Sequence, residues 1–445
     1  MSSATENPPV RVQDDGSLHD QRVQRLSYRR WTHSELARQG IEHQSIAGQE
    51  PPLVNQAMEC IHHNGMRRTT LPHHSGQPYV VFYTIAAAGL KRKHAGRRHG
   101  AAARSQRQME YRFLGRTGQQ VSAIAFGPGN SNIDTDAEGV RQVEAAFDLG
   151  ITTFDTANLE KGGKVEEWLG TAFAHRRDQA FIASKFSGDA TRKHIVQECE
   201  KSLRRLRTDY IDLYQFHHWQ PTVAIEESLE ALTALVQQGK ILYAGCSWFK
   251  TYQIANALRA SERHGFTRLV SVSAKVNLLG QDIFSRYPLA EVQEFDLFPF
   301  CEEERLGLIA FRPLAGGLLA GKYRPGEAPP EGSRYAGSRY AQPNFVELAR
   351  PLLDVVEQLR PIAATRGQTL AQFALSWALS KQAVSAVLVG ANSTSQLQEL
   401  VGAVDRRLTT DEMRAIDAIR ETLPGCVTTP SAIEQRWRSR GWAQV

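Results

Sequence analysis

The chain has 445 residues and a formal net charge of +6, so it can bury a large core, and its length allows two or three domains. The charge is unevenly placed: residues 1–108 hold 15 Lys and Arg against 8 Asp and Glu, whereas the remaining residues hold 38 against 39. Charge therefore excludes nucleic-acid binding for the larger part of the chain, and such a role would rest on the N-terminal segment alone.

The cysteines and the apolar runs indicate the compartment. Five cysteines are scattered without a Cys-x-x-Cys pair, which predicts free thiols in a reducing compartment, no disulfide scaffold and no metal site. The longest apolar run, residues 79–90, is too short to span a bilayer. We expect a cytoplasmic protein with no membrane partner. A start at Met66 would make this run resemble a signal peptide, which is the alternative.

Residues 1–108 have no sustained helical or strand period and are rich in Gln, His, Arg, Ser and Pro. A segment of this composition buries too little apolar surface to offset the entropy of ordering it. We therefore predict a disordered extension, or translated sequence upstream of a natural start at Met109. A basic arm that binds nucleic acid is the alternative.

From residue 109 onward the sequence predicts a regular alternation of strands and helices. Residues 111–118 resemble a hairpin that would close the floor of a barrel. Apolar runs predict eight buried strands at residues 121–126, 152–157, 181–186, 210–216, 241–246, 269–276, 308–311 and 386–389. Helical periods predict amphipathic helices at residues 137–149, 164–175, 192–206, 223–238, 252–264, 289–305, 352–366, 370–379 and 394–404. The predicted N-caps are Thr191 and Thr394, and the predicted C-caps are Gly150, Gly239, Gly265 and Gly367.

This eightfold alternation decides the fold class. No dinucleotide-binding glycine fingerprint follows the first strand, which favours a closed (β/α)8 TIM barrel over a doubly wound sheet. We expect the barrel to occupy residues 109–420 and a tail to occupy residues 421–445. The tail carries Trp437 and Trp442, which would fold back near the pocket.

A long polar loop, residues 325–344, follows the seventh predicted strand. Its position is typical of a lid or specificity loop over the barrel mouth. Four side chains in it indicate an anionic or polyhydroxyl ligand, with ordinary solvated loop residues as the alternative: Arg334, Tyr335, Arg339 and Tyr340.

Three predicted strands end in ionisable residues: Asp155, Lys185 and His217. Because the carboxyl ends of the strands in a parallel barrel meet at one mouth, we expect these three side chains to converge there. The alternative for Asp155 and Lys185 is a buried ion pair with a structural role. His218, next along the chain, is expected to point to the opposite side of its strand.

Together, the stretches at 154–157, 183–186, 208–217, 239–241, 245–247, 313–323 and 390–391 resemble the aldo-keto reductase family over residues 109–420. The resemblance implies a TIM barrel that reduces a small carbonyl or sugar-like substrate with NADP(H) or NAD(H). It assigns catalytic roles to Asp155, Lys185 and His217. The cofactor-binding positions that it implies are Ser247, Arg312, Leu314, Gly316, Gly390, Ala391 and Glu399.

The chain departs from the family pattern at the proton donor. The family has a tyrosine at the position of Glu160, and no tyrosine lies between residues 112 and 209. A glutamate beside Lys185 should be ionised at neutral pH and unable to donate a proton, because its reference pKa is near 4.3. Only burial away from the lysine would raise that pKa into a useful range.

The cofactor positions change as well. Trp248 stands where the family has an asparagine, Ser273 where it has a glutamine, and Val276 where a tyrosine would stack on the nicotinamide ring. Arg312 replaces a serine and would attract a pyrophosphate as a cation. No Lys or Arg follows Ala391 until Arg406, so the usual clamp on a 2′-phosphate is not visible.

Three functions follow from this pattern. The first is an aldo-keto reductase that uses Glu160 or water in place of the tyrosine. The second is a barrel whose Asp155, Glu160, Lys185 and His217 perform non-redox elimination, isomerisation or hydrolysis. The third is a non-catalytic binding or regulatory barrel.

Overall fold

The computed structural model describes residues 109–133, 135–280, 296–336 and 341–423, together with three strands nearer the N-terminus. Those strands are β1 (Glu42–Gln44), β2 (Arg67–Pro72) and β3 (Pro78–Thr84), which pair antiparallel in the order β1-β3-β2. The sequence pattern of residues 1–108 does not predict these strands. The other residues of the proposed disordered extension lie outside the described ranges. The chain divides into two compact units, Met1–Ala102 and Ala103–Val445.

The second unit is built on a closed barrel of eight parallel strands. A hairpin of β4 (Tyr111–Phe113) and β5 (Gln120–Ser122) precedes the barrel. The barrel strands are β6 (Ile124–Phe126), β7 (Thr153–Asp155), β8 (Phe181–Phe186), β9 (Ile211–Phe216), β10 (Ile241–Ser247), β11 (Leu269–Lys275), β12 (Gly307–Phe311) and β13 (Val384–Val389). Each strand pairs with its neighbours in sequence, and β13 pairs with β6 to close the barrel. The predicted fold class is confirmed.

The first predicted strand, residues 121–126, is split in two. Its first half pairs with β4, and its second half enters the barrel as β6. Ser122 accounts for the break: its hydroxyl donates to the Ile124 carbonyl and accepts from the backbone N–H groups of Thr152 and Thr153. Side-chain bonds of this kind compete with the ladder and let the chain change direction.

Helices cover the outside of the barrel. They are α1 (Asp136–Asp148), α2 (Lys164–Ala172), α3 (Arg192–Leu206), α4 (Ile225–Gln237), α5 (Thr251–His264), α6 (Phe298–Glu303), α7 (Phe345–Thr365), α8 (Leu370–Leu379), α9 (Thr394–Val401) and α10 (Thr410–Arg420). The four predicted C-cap glycines all have positive φ. Thr191 is the N-cap of α3, whereas Ser393 rather than Thr394 caps α9.

Two helices differ from the predictions. α7 begins at Phe345 and not near the predicted residue 352; Pro351 lies in its second turn, and the helix continues through it. α10 was not predicted, although Thr409 and Glu412 form a capping box there, with Thr409 Oγ1 accepting from the Glu412 N–H at 3.3 Å. The predicted helix at 289–305 is observed only in part: residues 289–295 lie outside the described residues, and the described part forms the short helix Phe298–Glu303.

The hairpin closes the floor of the barrel, as predicted. Leu114, just beyond β4, is fully buried in an interior cluster with Phe181, Ala183, Leu213 and Ile309. A Cβ added at Gly307 would clash with the Leu114 side chain, so the glycine leaves room for this plug. Because the hairpin fills this end, a functional site is expected at the opposite end of the barrel, where the strands finish.

We predict that Leu114→Ala lowers the free energy of unfolding by about 3 kcal/mol, because a fully buried leucine leaves a cavity that the closed barrel cannot collapse. Urea unfolding followed by circular dichroism measures this. Phe113→Ala, on a neighbouring side chain that is 58% exposed, is the matched control and should change stability by less than about 0.5 kcal/mol. Equal losses in the two variants would contradict the plug.

Candidate active site

A buried ion pair lies at the mouth, where β7 and β8 end. Lys185 and Asp155 are 5% and 2% exposed. The Lys185 ammonium donates to Asp155 Oδ1 and also to the Thr156 carbonyl at 3.0 Å. Burial raises the pKa of the Asp155 carboxyl, and the lysine charge opposes that rise. The predicted convergence of these two residues is present.

Glu160 lies beside this pair, in the short turn Glu160–Gly163 that follows β7. Its carboxylate rests on the backbone of Gly129, where any Cβ would clash with it. One of its oxygens, Oε2, is buried and makes no hydrogen bond within the described residues. Burial raises the pKa of Glu160 to about 7, against the opposing charge of Lys185, and the nearby Asp155 and Glu166 add to the rise.

From the sequence, Glu160 is expected to be ionised at neutral pH unless burial raises its pKa. Burial raises the pKa to about 7, where both protonation states are populated. Lys185 is already engaged by Asp155, so its charge offsets only part of the cost of burying the Glu160 carboxylate. Near pH 7 the glutamate exchanges a proton readily, because its pKa matches the pH. Sequence spacing gave no measure of its burial.

His217 reaches the same mouth from the end of β9. Its Nδ1 is 2.7 Å from the hydroxyl of Ser187, a residue of the loop after β8, and this hydrogen bond fixes the orientation of the ring. Burial, together with the charges of Lys185 and His218, lowers the pKa of His217 to about 3. The ring is therefore neutral at working pH and acts through hydrogen bonds rather than as a cation.

His218 does not point to the opposite side of the strand, so that expectation was wrong. Its ring stacks on His217, with centroids 4.6 Å apart and planes 5° from parallel. The alternation of side chains holds only inside a strand, and β9 ends at Phe216. Burial and Lys185 lower the pKa of His218 as well.

A second layer of polar residues holds these groups in place, and sequence reasoning missed it. Asn158 accepts from the Ser187 N–H at 3.1 Å and donates to Glu198 at 2.7 Å, so it joins the loops after β7 and β8. Glu166 is fully buried and accepts from the Ser184 hydroxyl and the Arg205 guanidinium, both at 2.6 Å. The sequence contained one signal for this layer, because Glu166 is a glutamate on the otherwise apolar face of α2.

The positions implied for a cofactor lie at the ends of β10, β12 and β13. Ser247 is buried at the end of β10, and Arg312 and Leu314 begin the turn after β12. In that turn Gly316 and Gly317 have φ of +71° and +105°, and a Cβ on Gly316 would clash with the Tyr335 hydroxyl. The positive φ of the two glycines shapes this turn, and the missing Cβ of Gly316 leaves room for the buried Tyr335 ring.

Two cations flank this turn, and the sequence analysis did not assign them to the cofactor. A Cβ on Gly317 would lie 3.7 Å from Lys322 Cε, and one on Gly316 would lie 4.0 Å from Arg334 Cδ. Burial and the neighbouring Arg334 lower the pKa of Lys322. Backbone N–H groups and cations brought together in this way are suited to a phosphate.

One residue of the predicted lid loop packs in the core. Tyr335 is buried against Tyr323 and Phe345, with ring centroids 5.5 and 5.2 Å away. Its assignment as a ligand-facing residue was therefore wrong, because its large apolar ring is used in the core. Arg339 and Tyr340 lie outside the described residues, as do Trp437 and Trp442 of the tail.

The last predicted cofactor positions follow β13. Gly390 is exposed, and a Cβ there would meet just the Gly127 carbonyl, at 3.4 Å. Ala391 is buried, and Glu399 is exposed on α9. The seven implied positions thus lie on the mouth side of the barrel or on the helix that follows it. Their roles stay predictions.

Two negative findings concern the described ranges alone. No group of three His, Cys, Asp or Glu side chains there is arranged to hold a metal ion. Cys199, Cys246 and Cys301 are buried free thiols, while Cys60 and Cys426 fall outside those ranges. In the same part of the chain, no helix has the length and apolarity needed to cross a membrane.

Comparison with known proteins gives a consistent picture. Residues 123–421 match the family described as "Aldo/keto reductase family". A "Probable voltage-gated potassium channel subunit beta" of Arabidopsis thaliana is 33% identical over 312 residues, covering 67% of this chain and 92% of that protein. The "Uncharacterized oxidoreductase YrpG" of Bacillus subtilis is 32% identical over 70% of this chain and 96% of its own length. The "L-glyceraldehyde 3-phosphate reductase" of Escherichia coli K12 is 31% identical over 70% of this chain and 92% of its own length.

The raised pKa of Glu160 predicts a pH-dependent effect on stability. Between its ordinary value of 4.5 and the folded value of about 7, the folded chain holds a proton that the unfolded chain has released. Wild-type stability should therefore fall as pH rises through that window, and Glu160→Gln should remove the fall. We expect the variant to gain about 3 kcal/mol relative to wild type between pH 4.5 and 8.

Thermal unfolding across that pH range measures this gain. Glu167→Gln is the matched control, since Glu167 is an exposed glutamate on α2, and its difference from wild type should not change with pH. A difference between Glu160→Gln and wild type that stays constant with pH would contradict the raised pKa.

Proposed function

The chain belongs to the aldo/keto reductase family, and we propose that it catalyses the NADP(H)- or NAD(H)-dependent interconversion of an aldehyde or ketone and its alcohol, with Glu160 as the proton donor. The observation that carries this proposal is the Glu160 carboxyl, whose burial beside Asp155 and Lys185 raises its pKa to about 7. Effective acid catalysis needs a pKa near the working pH. A tyrosine reaches that range by a lowered pKa, and a buried glutamate reaches it by a raised one.

The residues around the turn after β12 support a dinucleotide. The Gly316–Gly317 turn, in which both glycines have positive φ, lies near Lys322 and Arg334 and follows Arg312. This combination suits a pyrophosphate. When bound, the nicotinamide ring supplies or accepts the hydride.

The nicotinamide carboxamide would be held differently from the family pattern. Ser247 is retained, while Trp248 and Ser273 replace two amide side chains. Asn277, just beyond β11, is 2% exposed, and neither its Nδ2 nor its Oδ1 has a hydrogen-bond partner in the described part of the chain. A buried orphan carboxamide costs about 1–3 kcal/mol, and a ligand carboxamide offers the complementary donor and acceptor.

The chain's own groups then act on the carbonyl. His217, neutral and fixed by Ser187, orients the carbonyl oxygen by a hydrogen bond. As the carbonyl carbon gains a hydride, its oxygen becomes an alkoxide and takes the proton from Glu160. The resulting carboxylate is stabilised by the nearby Lys185 charge and regains a proton from water before the next turnover.

Activity as a function of pH tests the role of Glu160. We expect kcat/KM for reduction to be flat below about pH 7 and to fall tenfold per pH unit above it, because the donor must be protonated. Oxidation of the alcohol should show the opposite dependence. Glu160→Gln should lose activity by about 10²–10⁴-fold.

Two further variants sharpen this test. Glu160→Tyr should keep activity and move the fall in rate to higher pH, because the reference pKa of tyrosine is near 10. Glu167→Gln should match the wild type. If Glu160→Gln retains the rate and the pH profile, Glu160 is not the donor. If no nucleotide binds at millimolar concentration, the reductase is excluded and the same acid–base set would serve non-redox chemistry.

Nucleotide affinity tests the phosphate site separately. Lys322→Ala and Arg334→Ala should each weaken NADPH binding by about tenfold, and the loss should shrink at high salt, where charge interactions are screened. Fluorescence titration with NADPH and NADH measures the dissociation constants. Arg350→Ala is the matched control, because Arg350 is an exposed arginine on α7 that is not among the groups found near the two glycines. A loss as large in Arg350→Ala would contradict a local site.

A further inference from the structure

Trp248 has an unusual backbone conformation for a large aromatic residue. It follows β10 with φ of +57°, in the left-handed region that glycine and asparagine adopt more easily. Its N–H donates to the Ser273 carbonyl at 3.2 Å, so the neighbouring strand holds this conformation. The side chain is nevertheless 41% exposed. Strain of this kind costs about 1–3 kcal/mol and is typical of functional sites.

The Trp248 ring belongs to a row of four rings across the mouth. Its centroid is 4.8 Å from that of Phe311, at the end of β12. On the other side it stacks on His218 at 6.1 Å, and His218 stacks on His217. The row therefore runs from His217, which would orient the carbonyl, through His218 to the exposed indole of Trp248, and ends at Phe311.

The row is uncharged at working pH. Burial and Lys185 lower the pKa of both His217 and His218, so their rings are neutral. Leu159, next to Glu160, adds an apolar side chain that is 66% exposed. Exposed apolar surface of this kind beside a polar reaction centre favours a ligand with a flat apolar part.

We propose that Trp248, with His218 and Phe311, forms a stacking subsite for a planar aromatic group of the substrate. The aromatic group lies on the exposed part of the indole, and a short linker spans the imidazole rings to bring the reactive group to His217 and Glu160. The identity of that group as a carbonyl rests on the proposed function, whereas the stacking itself does not.

Two aldehydes of matched size test the subsite in the reaction: 3-phenylpropanal and 3-cyclohexylpropanal. Their carbonyls are equally reactive, and they differ in whether the ring is planar. Because aromatic pairs gain about 0.5–1.5 kcal/mol beyond area burial, kcat/KM should favour the phenyl compound by about 2–12-fold. The difference should lie in KM rather than in kcat.

The Trp248→Asn variant should abolish this preference, giving a ratio near one. Asparagine tolerates the left-handed backbone, so the variant keeps the local fold. Trp248→Phe should retain part of the preference. Tyr252→Asn is the matched control: this aromatic residue is 58% exposed in the first turn of α5, outside the row of rings, and its removal should leave the ratio unchanged.

Binding of unreactive analogues separates this inference from the proposed function. Calorimetry with 3-phenylpropanamide and 3-cyclohexylpropanamide should show the same preference in the wild type and none in Trp248→Asn. If no aldehyde is reduced but this binding pattern holds, the subsite stands and the reductase proposal fails. Equal affinity for the two amides, a preference that survives Trp248→Asn, or no binding of either amide would overturn the subsite.

Discussion

The Lys185–Asp155 ion pair is the interaction on which the rest of the site depends. Both groups are withdrawn from water at the end of the barrel, and each would be costly to bury without the other. The closed barrel makes the pair possible, because β7 and β8 are neighbours and their ends are fixed by the ladder. A buried ion pair of this kind is weak evidence for added stability. Its charges nevertheless shift the pKa of the ionisable groups nearby.

Glu160 shows how that charge and burial compete. Lys185 favours the carboxylate, yet its ammonium is bound to Asp155 and to the Thr156 carbonyl, so desolvation decides the pKa of Glu160. Gly129 contributes to this burial, because its missing side chain leaves room for the Glu160 carboxylate against the backbone. The pKa of the proton donor that we propose therefore depends on the packing of two loops and not on the residue type alone.

The mouth also concentrates backbone strain. Trp248, Arg312 and Ala315 all have positive φ, and each follows the end of a barrel strand. Strand ladders and helices hold these loops at both ends, so strained conformations persist there at the expense of overall stability. They place an indole, a cation and a glycine turn at the end of the barrel where the strands finish.

The sequence determined the architecture and the identity of most mouth residues. The alternation of apolar runs and helical periods is local, so it predicted the eight barrel strands and the convergence of Asp155, Lys185 and His217. Local patterns also explain the errors: Ser122 splits a run that looks continuous, and His218 lies just beyond the strand whose alternation was applied to it.

Tertiary structure alone decided how these residues behave. Four features join segments that are separated in sequence: the burial of Glu160, the use of Tyr335 in the core, the approach of Arg334 to the turn after β12, and the row of rings around Trp248. Desolvation and electrostatic coupling depend on distance in space. The order of residues indicated the candidate acid–base groups, whereas the packing of the barrel determines the pKa values of Asp155, Glu160 and His217.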